Sequence, residues 1–565
     1  MEIKRRYVYA GDRRVHYRRA GSGPPLVMLH ASPGSSYVLE PLIALLAGSR
    51  TVIAIDTPGY GESEGLGIDE PEIDAFAVAL VDTLDALGLG RFDLYGTHTG
   101  SKIAVEFAGN NPGRVRRLVL DGIGAYTPKE RADLLANYTI DLSPEWDGTH
   151  LVRAWAMRRD MHMFWPWFSR DGDHRMPMDI PSTGEMHDHF VDFLRAIPDY
   201  GKAYRASFRY NVPEGMGRLT VPTLMIALPA DPLYQYLAGG ADLGDHVTVE
   251  TGATDVARLA ELTACFLGEG DQLPDASPET EPELVPGSLR RRFVEVSVGA
   301  LHVHWSGGEG RPLVMLHASP TSARNLDPLT TRFAAMRPVI AFDNPGNGDS
   351  SPVPGEPEIA DLAEVLVEGL DGLGVGDFDL YGSHTGAHIA IEMAISQGSR
   401  VSALILDGII PYDESQAREW LDRYPPPMVP DRHGSHLVWA WNFMRDQVVF
   451  WPWFSQKAES VRHGASMPHP DVLHDRVLEM LKGGRTYHHQ YAAAFRYRTQ
   501  ERLPLVDVPT LVCAGPTDPL LEHLAAVPDI LPEADVLAHP GLATGADADD
   551  TVFEFVRFLS GAAGR

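Results

Sequence analysis

Cysteine is scarce in this chain, and long apolar runs are missing. The 565 residues include only Cys265 and Cys513, at non-equivalent places in the two halves, so we expect no disulfide framework and no cysteine-based metal site. Free thiols are typical of a reducing compartment. No apolar stretch approaches the roughly 20 residues of a membrane-spanning helix, and no apolar stretch follows the first basic residues as in a signal peptide. These absences predict a cytoplasmic protein outside the membrane.

Basic residues are also in deficit. The chain has 48 Lys and Arg against 77 Asp and Glu, a formal net charge of −29. Nucleic acids and anionic membranes both require a basic surface, so neither is an expected partner. The composition, 44% hydrophobic and 22% charged, is that of a globular protein. Because hydrophobic cores stop growing at roughly 250–300 residues, this length predicts two domains.

One unit of sequence occurs twice, with an offset of 286 or 287 residues. This is the duplication of a whole domain and not a series of short repeats. The matching stretches include residues 29–33 and 316–320, 56–61 and 343–348, 95–100 and 381–386, 164–168 and 450–454, and 231–233 and 518–520.

The two copies are separated by an acidic, proline-rich stretch. Residues 269–283 hold six acidic residues, three prolines and no basic residue, a composition that cannot bury enough apolar surface to fold. We therefore predict a first domain over residues 1–268, a linker over 269–289 and a second domain over 290–565.

Within each half, short apolar runs alternate with helical patterns. In the first half, residues 25–29, 51–55 and 92–95 are apolar runs, and residues 73–87 have apolar side chains at helical spacing. Such alternation predicts an α/β fold, a mostly parallel sheet flanked by helices on both faces. Residues 125–216, rich in Trp, Met, His and Arg, interrupt the alternation and predict a helical cap. By repetition, the second cap spans residues 411–503.

A histidine stands at a sharp strand-to-helix junction in each half. Gly96 and Gly100 flank His98, as Gly382 and Gly386 flank His384. Glycine two residues before and after one polar residue is the nucleophile-elbow pattern, in which the central residue projects above the sheet. The central residue is usually Ser, and its replacement by His is the main question about function.

Each half resembles an α/β-hydrolase with a cap, in the style of haloalkane dehalogenases, epoxide hydrolases and related esterases. Residues 30–33, His-Ala-Ser-Pro, resemble the oxyanion loop of that family, and residues 56–63 resemble its Asp-x-x-Gly-x-Gly-x-Ser segment. The resemblance implies that Asp231 and Asp518 occupy the site of the acidic triad member. It also implies oxyanion-binding backbone N–H groups at Ala31 and Thr99, and by repeat at Ala318 and Thr385.

The catalytic triad of that family does not carry over. The resemblance implies Ser, Asp or Cys where His98 and His384 stand, and a histidine near the last strand. Residues 251–254 and 540–544 lack that histidine. His539 lies slightly upstream, and the first half has Glu250 near the equivalent place, so His539 is not counted as a match.

A histidine at the elbow can still perform acid–base chemistry, because its unperturbed pKa of about 6.5 suits proton transfer near neutrality. Asp231 or Asp121 would orient His98, giving an Asp–His dyad without Ser. Such a dyad suits water activation, or proton abstraction followed by elimination, C–C cleavage or decarboxylation. We expect an enzyme acting on a small, largely apolar carbonyl or ester compound, without a metal or other cofactor.

Further polar and aromatic residues recur in both halves and are candidates for the substrate pocket. Those on the strand ends precede the cap, and the others belong to it. They are His30, His317, Asp121, Asp407, His150, His436, His187, His474, Trp165 and Trp451. No His-Glu-x-x-His spacing joins the histidines into a recognisable metal site.

Two alternatives to a working enzyme in both halves remain open. One is a catalytically inactive protein that binds a small molecule in the capped pocket. The other is a pseudo-dimer in which one half works and the other supports it. In either case we expect the two halves to pack together as an intrachain pseudo-dimer.

Overall fold

The computed structural model describes residues 2–197, 199–242, 244–268, 273–279, 281–409 and 414–562. These residues divide into two compact units. One comprises Met1–Ser143 and Thr149–Pro282, and the other comprises Pro144–Gly148 and Glu283–Arg565. Of the predicted linker, residues 269–272 and 280 lie outside the described residues, as do residues 411–413 of the second predicted cap. No helix in the described ranges is long and apolar enough to cross a membrane.

The first sheet has eight strands in the order β1-β2-β4-β3-β5-β6-β7-β8. All pairs are parallel except β1 with β2 and β2 with β4. The strands are β1 (Lys4–Ala10), β2 (Arg13–Ala20), β3 (Pro25–Leu29), β4 (Thr51–Ile55), β5 (Phe92–Thr97), β6 (Val115–Asp121), β7 (Thr223–Ile226) and β8 (Val247–Glu250).

Among the described residues of this half, nine α-helices accompany the sheet, and five of them, α4 to α8, form the insertion between β6 and β7. The helices are α1 (Glu40–Leu46), α2 (Ile73–Ala86), α3 (Thr99–Asn110), α4 (Pro128–Asn137), α5 (Thr149–Asp160), α6 (Thr183–Leu194), α7 (Tyr200–Arg209), α8 (Val212–Met216) and α9 (Val256–Gly268).

The second sheet repeats the first, in the order β16-β15-β14-β13-β11-β12-β10-β9. Its pairs are again parallel except β9 with β10 and β10 with β12. Its strands are β9 (Leu289–Val296), β10 (Gly299–Ser306), β11 (Leu313–Leu316), β12 (Val339–Phe342), β13 (Phe378–Ser383), β14 (Val401–Asp407), β15 (Thr510–Ala514) and β16 (Asp535–Ala538).

In the described part of the second half, ten α-helices accompany the sheet, with α13 to α17 inserted between β14 and β15. They are α10 (Asp327–Ala334), α11 (Ile359–Gly372), α12 (Thr385–Ser396), α13 (Glu414–Arg423), α14 (Ser435–Val449), α15 (Pro470–Gly483), α16 (Tyr487–Arg496), α17 (Thr499–Arg502), α18 (Val527–Ile530) and α19 (Gly545–Ala562). The predicted fold class is therefore confirmed in both halves.

The side chains of β11 explain why each sheet is covered on both faces. Leu313 and Met315 pack with α10 and α19 in one apolar cluster, and Val314 and Leu316 pack with α11 and α12 in another. Successive side chains of a strand point to opposite faces, so an uninterrupted apolar strand needs a helix layer on each side. This arrangement leaves the carboxyl ends of the strands, beneath the inserted helices, as the place for a site.

Candidate functional site

The two elbow histidines have a backbone conformation that is normally reserved for glycine. His98, between β5 and α3, has φ +51° and ψ −107°, and His384, between β13 and α12, has φ +50° and ψ −112°. They are the only non-glycine residues with positive φ among the described residues. A Cβ at Gly96 would lie 2.4 Å from the Gly100 carbonyl oxygen, so the tight junction also requires its glycines.

Each elbow histidine contacts the carboxylate that follows the seventh strand of its sheet. His98 Nε2 lies 2.7 Å from Asp231 Oδ2, and His384 Nε2 lies 3.0 Å from Asp518 Oδ2. The other oxygen of Asp231 accepts a hydrogen bond of 2.7 Å from the backbone N–H of Leu233. The carboxylate is therefore fixed by the loop and orients the imidazole.

Electrostatics favour an ion pair in both dyads. Burial disfavours the imidazolium, but the charge and hydrogen bond of Asp231 outweigh burial and raise the pKa of His98 above 6.5. Burial likewise opposes ionisation of Asp231, and His98 reverses this and lowers the pKa of that carboxyl. The same balance of causes raises the pKa of His384 and lowers that of Asp518. Each dyad can thus accept and return a proton near neutrality.

The aspartates that follow the sixth strand have a different partner. Tyr95 donates a hydrogen bond of 2.5 Å to Asp121, and Tyr381 donates one of 2.7 Å to Asp407. Burial raises the pKa of Asp121 to about 6. Of the two aspartates considered as partners of His98, the structure therefore pairs Asp231 with it and leaves Asp121 with Tyr95.

The four backbone N–H groups expected to bind an oxyanion have no acceptor among the described residues. In the part of the chain that the structure describes, no hydrogen bond uses the N–H of Ala31, Thr99, Ala318 or Thr385. Thr99 and Thr385 are the first residues of α3 and α12, where N–H groups lack partners within the helix. The N–H groups of Thr99 and Thr385 therefore lie directly after the elbow histidines without a partner in the helix.

A cavity of about 430 Å³ opens above the second elbow. It is lined by both members of the dyad, His384 and Asp518, by Asp407, and by Trp451 from the cap. In the first domain a cavity of about 490 Å³ is lined by Asp231 and Trp165. In each domain, the aspartate of the dyad and the predicted tryptophan therefore line a cavity. In the second domain, the elbow histidine lines it as well.

The histidines of the predicted oxyanion loops are tied to the backbone. His30 Nδ1 donates to the Ala31 carbonyl at 3.0 Å, and His30 Nε2 accepts from the backbone N–H of Thr57 at 2.8 Å. His317 makes the same two contacts in the second half. With both ring nitrogens engaged, these histidines shape the loop and have no free nitrogen for a ligand.

The four cap histidines are buried within the insertions. His150 lies on α5 and His187 on α6, and their counterparts His436 and His474 lie on α14 and α15. None of the four lines either of the two cavities just described. The structure therefore places them in the cap interior and does not bring them to the dyads.

Sequence reasoning missed two residues near the dyads. Lys102 and His388 lie one helical turn after the elbow histidines, a spacing that puts i and i+4 on one face. Lys102 is buried, and its ammonium donates to the Ser207 carbonyl at 2.9 Å. His388 lines the second cavity. A charged or polar residue in an otherwise apolar helix was the signal available in the sequence.

His539, discounted above, also lines the second cavity, 3.3 Å from Asp407. Strand pairing corrects the alignment on which that judgement rested. Glu250 pairs with Ile226 and Leu537 pairs with Cys513, so Glu250 corresponds to Leu537 and His539 corresponds to Gly252. Glu250 is therefore not the counterpart of His539, and the first domain has no side chain at that place.

The ligating atoms of Asp407, Cys513 and His539 lie within 4.8 Å of one another, close enough to hold a metal ion. However, His539 Nδ1 accepts a hydrogen bond of 3.1 Å from the backbone N–H of Gly541. The proton of the neutral ring is then on Nε2, where it faces Asp407. A metal-ligating histidine normally donates from its other nitrogen, so this cluster fits a hydrogen-bond network better than a metal site.

Two protein-family models agree with this architecture. A model of the alpha/beta hydrolase fold matches residues 24–242, and a model of the alpha/beta hydrolase family matches residues 313–552. Among solved structures, epoxide hydrolase A from Mycobacterium thermoresistibile aligns with 48% of this chain and all of its own, at 19% identity and a TM-score of 0.38.

Two curated relatives are hydrolases. The 2-hydroxy-6-oxononadienedioate/2-hydroxy-6-oxononatrienedioate hydrolase 1 of Dechloromonas aromatica (strain RCB) is 39% identical over 127 residues, 21% of this chain and 43% of that protein. The protein of the same activity from Paraburkholderia xenovorans (strain LB400) is 28% identical over 263 residues, 43% of this chain and 85% of that protein. The chain thus spans less than half the length of the first of these relatives.

The two family models together match most of the chain, and each matched region contains one elbow and the parallel strands on either side of it. The chain therefore belongs to the α/β-hydrolase fold superfamily and carries two α/β-hydrolase domains in tandem.

Proposed function

We propose that this chain is a hydrolase for a small, largely apolar carbonyl compound, and that an imidazole–carboxylate dyad at the elbow replaces the usual nucleophile. The dyads are His98 with Asp231 and His384 with Asp518. The reaction adds water across an ester bond or a C–C bond next to a carbonyl group.

One observation carries this proposal: a histidine is held in a strained conformation against a carboxylate in both halves. Positive φ costs a non-glycine residue of the order of 1–3 kcal/mol, and such strain persists mainly at functional sites. Glycine at the same place would avoid the strain. The chain instead has histidine at both places, His98 and His384, and each ring lies 3.0 Å or less from an aspartate. The strained histidines therefore support a role for the imidazole itself.

The dyad suggests a sequence of proton transfers. The neutral His98 ring takes a proton from water while the hydroxide attacks the carbonyl carbon, and Asp231 stabilises the imidazolium. The carbonyl oxygen becomes an oxyanion held by the N–H groups of Ala31 and Thr99. When the intermediate collapses, the bond to the leaving carbon or oxygen breaks, and the imidazolium returns its proton to that atom. The products are a carboxylic acid and a ketone or alcohol.

The relatives support the choice of reaction class. Their names describe hydrolases of 2-hydroxy-6-oxononadienedioate, and another relative, from Pseudomonas sp. (strain CF600), is named 2-hydroxymuconate semialdehyde hydrolase. These substrates carry carbonyl groups, and water is the second reactant. The aromatic walls of the second cavity, including Trp451 and Phe495, suit a largely apolar molecule.

The proposal is tested with p-nitrophenyl acetate for ester hydrolysis and 1-phenyl-1,3-butanedione for C–C hydrolysis. We expect the double variant His98→Gln/His384→Gln to lose turnover by about 100-fold or more, the lower end of the contribution of a general base. The exposed His433→Gln variant is the control and should retain the wild-type rate. Binding of the diketone by the wild type without turnover would instead favour a binding protein.

A further inference from the structure

The cavity of the second domain has a buried histidine in its wall whose ring nitrogens are unsatisfied. His388, on α12, is 3% exposed and lines the 430 Å³ cavity above the elbow. Neither Nδ1 nor Nε2 makes a hydrogen bond with any of the described residues. The ring instead meets that of Tyr497 edge-on, with the ring centres 5.4 Å apart. Because an unsatisfied buried polar group is costly, this side chain needs an explanation.

The imidazole of His388 is neutral at physiological pH. Burial, followed by the charge of His384, lowers its pKa to about 4, and the backbone carbonyl of His384 opposes this effect only in part. A neutral imidazole has one N–H donor and one bare nitrogen that accepts a hydrogen bond. The ligand group that complements this ring is therefore uncharged and forms hydrogen bonds.

The equivalent side chain of the first domain is already engaged within the protein. Lys102 follows His98 by four residues, as His388 follows His384. The Lys102 ammonium donates to the Ser207 carbonyl at 2.9 Å and lies 4.4 Å from the centre of the Tyr126 ring. Lys102 does not line the 490 Å³ cavity of its domain. At this one place, the polar group faces the cavity in the second domain and is used internally in the first.

We propose that His388 is a specificity-determining residue that binds a hydroxyl group of the ligand in the second domain. A hydroxyl group serves either ring nitrogen, since it both donates to a bare nitrogen and accepts from an N–H group. The first domain, with Lys102 at this place, lacks the preference. The two domains of the chain therefore select different ligands.

The surroundings of His388 describe the rest of this ligand. Residues four apart lie on the same face of a helix, so the hydroxyl group binds within one turn of His384 and close to the reacting carbonyl group. Trp420, Tyr424 and Phe495 give the cavity flat apolar walls. The ligand class is an uncharged aromatic ketone or ester that carries a hydroxyl group.

This inference rests on the proposed function only in treating the ligand as a carbonyl compound, so its test measures binding without turnover. The probes are 3-hydroxyacetophenone and 4-hydroxyacetophenone, each paired with the compound that has methyl in place of hydroxyl. All four are titrated calorimetrically into the full chain. We expect one site per chain at which at least one hydroxyl compound binds about tenfold more tightly than its methyl counterpart, because only the hydroxyl satisfies the buried ring.

Variants at His388 assign this preference to the ring. His388→Leu removes both ring nitrogens and should abolish the preference, and His388→Lys, which copies the first domain, should do the same. His388→Gln keeps a donor and an acceptor and should retain part of it. His433→Gln, at an exposed histidine of the second cap, is the control and should bind as the wild type does.

The comparison of hydroxyl and methyl compounds on the wild type needs no variant, and equal affinities within both pairs would overturn the proposal. An undiminished preference in folded His388→Leu would overturn it as well, and thermal unfolding verifies that each variant is folded. The outcome is separate from that of the proposed function, because the double variant His98→Gln/His384→Gln should lose turnover and keep the hydroxyl preference.

Discussion

Replacing the elbow histidines by glycine and by alanine should reveal the backbone strain that their conformation implies. His98 and His384 have φ of +51° and +50°. Alanine removes the imidazole and keeps the strain, because its Cβ remains. Glycine removes both. The difference in stability between the two variants at one position therefore isolates the backbone.

The expected magnitude follows from two opposing contributions. Relief of positive φ stabilises the glycine variant by about 1–3 kcal/mol relative to alanine. The greater freedom of glycine in the unfolded chain destabilises it by roughly 0.5–1 kcal/mol. The net expectation is a glycine variant more stable than the alanine variant by about 1 kcal/mol, or about 2 °C in melting temperature for a domain of this size.

The assay is equilibrium unfolding of His98→Gly against His98→Ala, followed by the same pair at His384. Glu364, exposed on α11, is the control position, where glycine should be the less stable variant by about 1 kcal/mol. If alanine is as stable as glycine or more stable at both elbows, the elbow histidines are not strained, and the argument from strain to function fails.

Three further predictions concern charge. The raised pKa of His98 means that its contribution to stability is present below pH 6.5 and lost as pH rises through that raised pKa. The lowered pKa of Asp231 means that its contribution is present above pH 3.8. Urea unfolding should therefore show the largest loss for Asp231→Asn near pH 5–6 and a smaller loss at pH 9. Because general-base catalysis needs the neutral ring, kcat/KM should rise with pH through the raised pKa, and in Asp231→Asn/Asp518→Asn this rise should move to lower pH. Finally, burial lowers the pKa of Lys102 to about 7, so the free-energy cost of burying its charged form grows as pH falls from 10. Thermal unfolding should therefore show that Lys102→Met stabilises the protein more at pH 6 than at pH 9.

The parallel core of each domain was readable from the sequence because its signals are local. The strands β3 and β4 are mostly apolar runs, and the spacing of the glycines around His98 predicts the elbow. The internal repeat supported the predictions of the strands and of the elbow, since each motif occurs twice in the chain. The pairing of β1 with β2 was not anticipated, because these strands contain several arginines and have no long apolar run.

The features of the site that the sequence did not predict depend on packing between elements that are distant along the chain. The family resemblance favoured Asp231 over Asp121 as the partner of His98, but the sequence could not show the contact between Asp231 and the ring. His539 was misaligned by two residues, and strand pairing was needed to match it with Gly252.

The central claim is that the elbow imidazoles perform the chemistry, and kcat of the histidine variants tests it most directly. Rates of 1-phenyl-1,3-butanedione hydrolysis are compared for wild type, His98→Gln, His384→Gln and the double variant, each verified as folded. The account predicts that each single variant loses the turnover of one domain and that the double variant loses turnover by about 100-fold or more. Wild-type turnover in the double variant would contradict it.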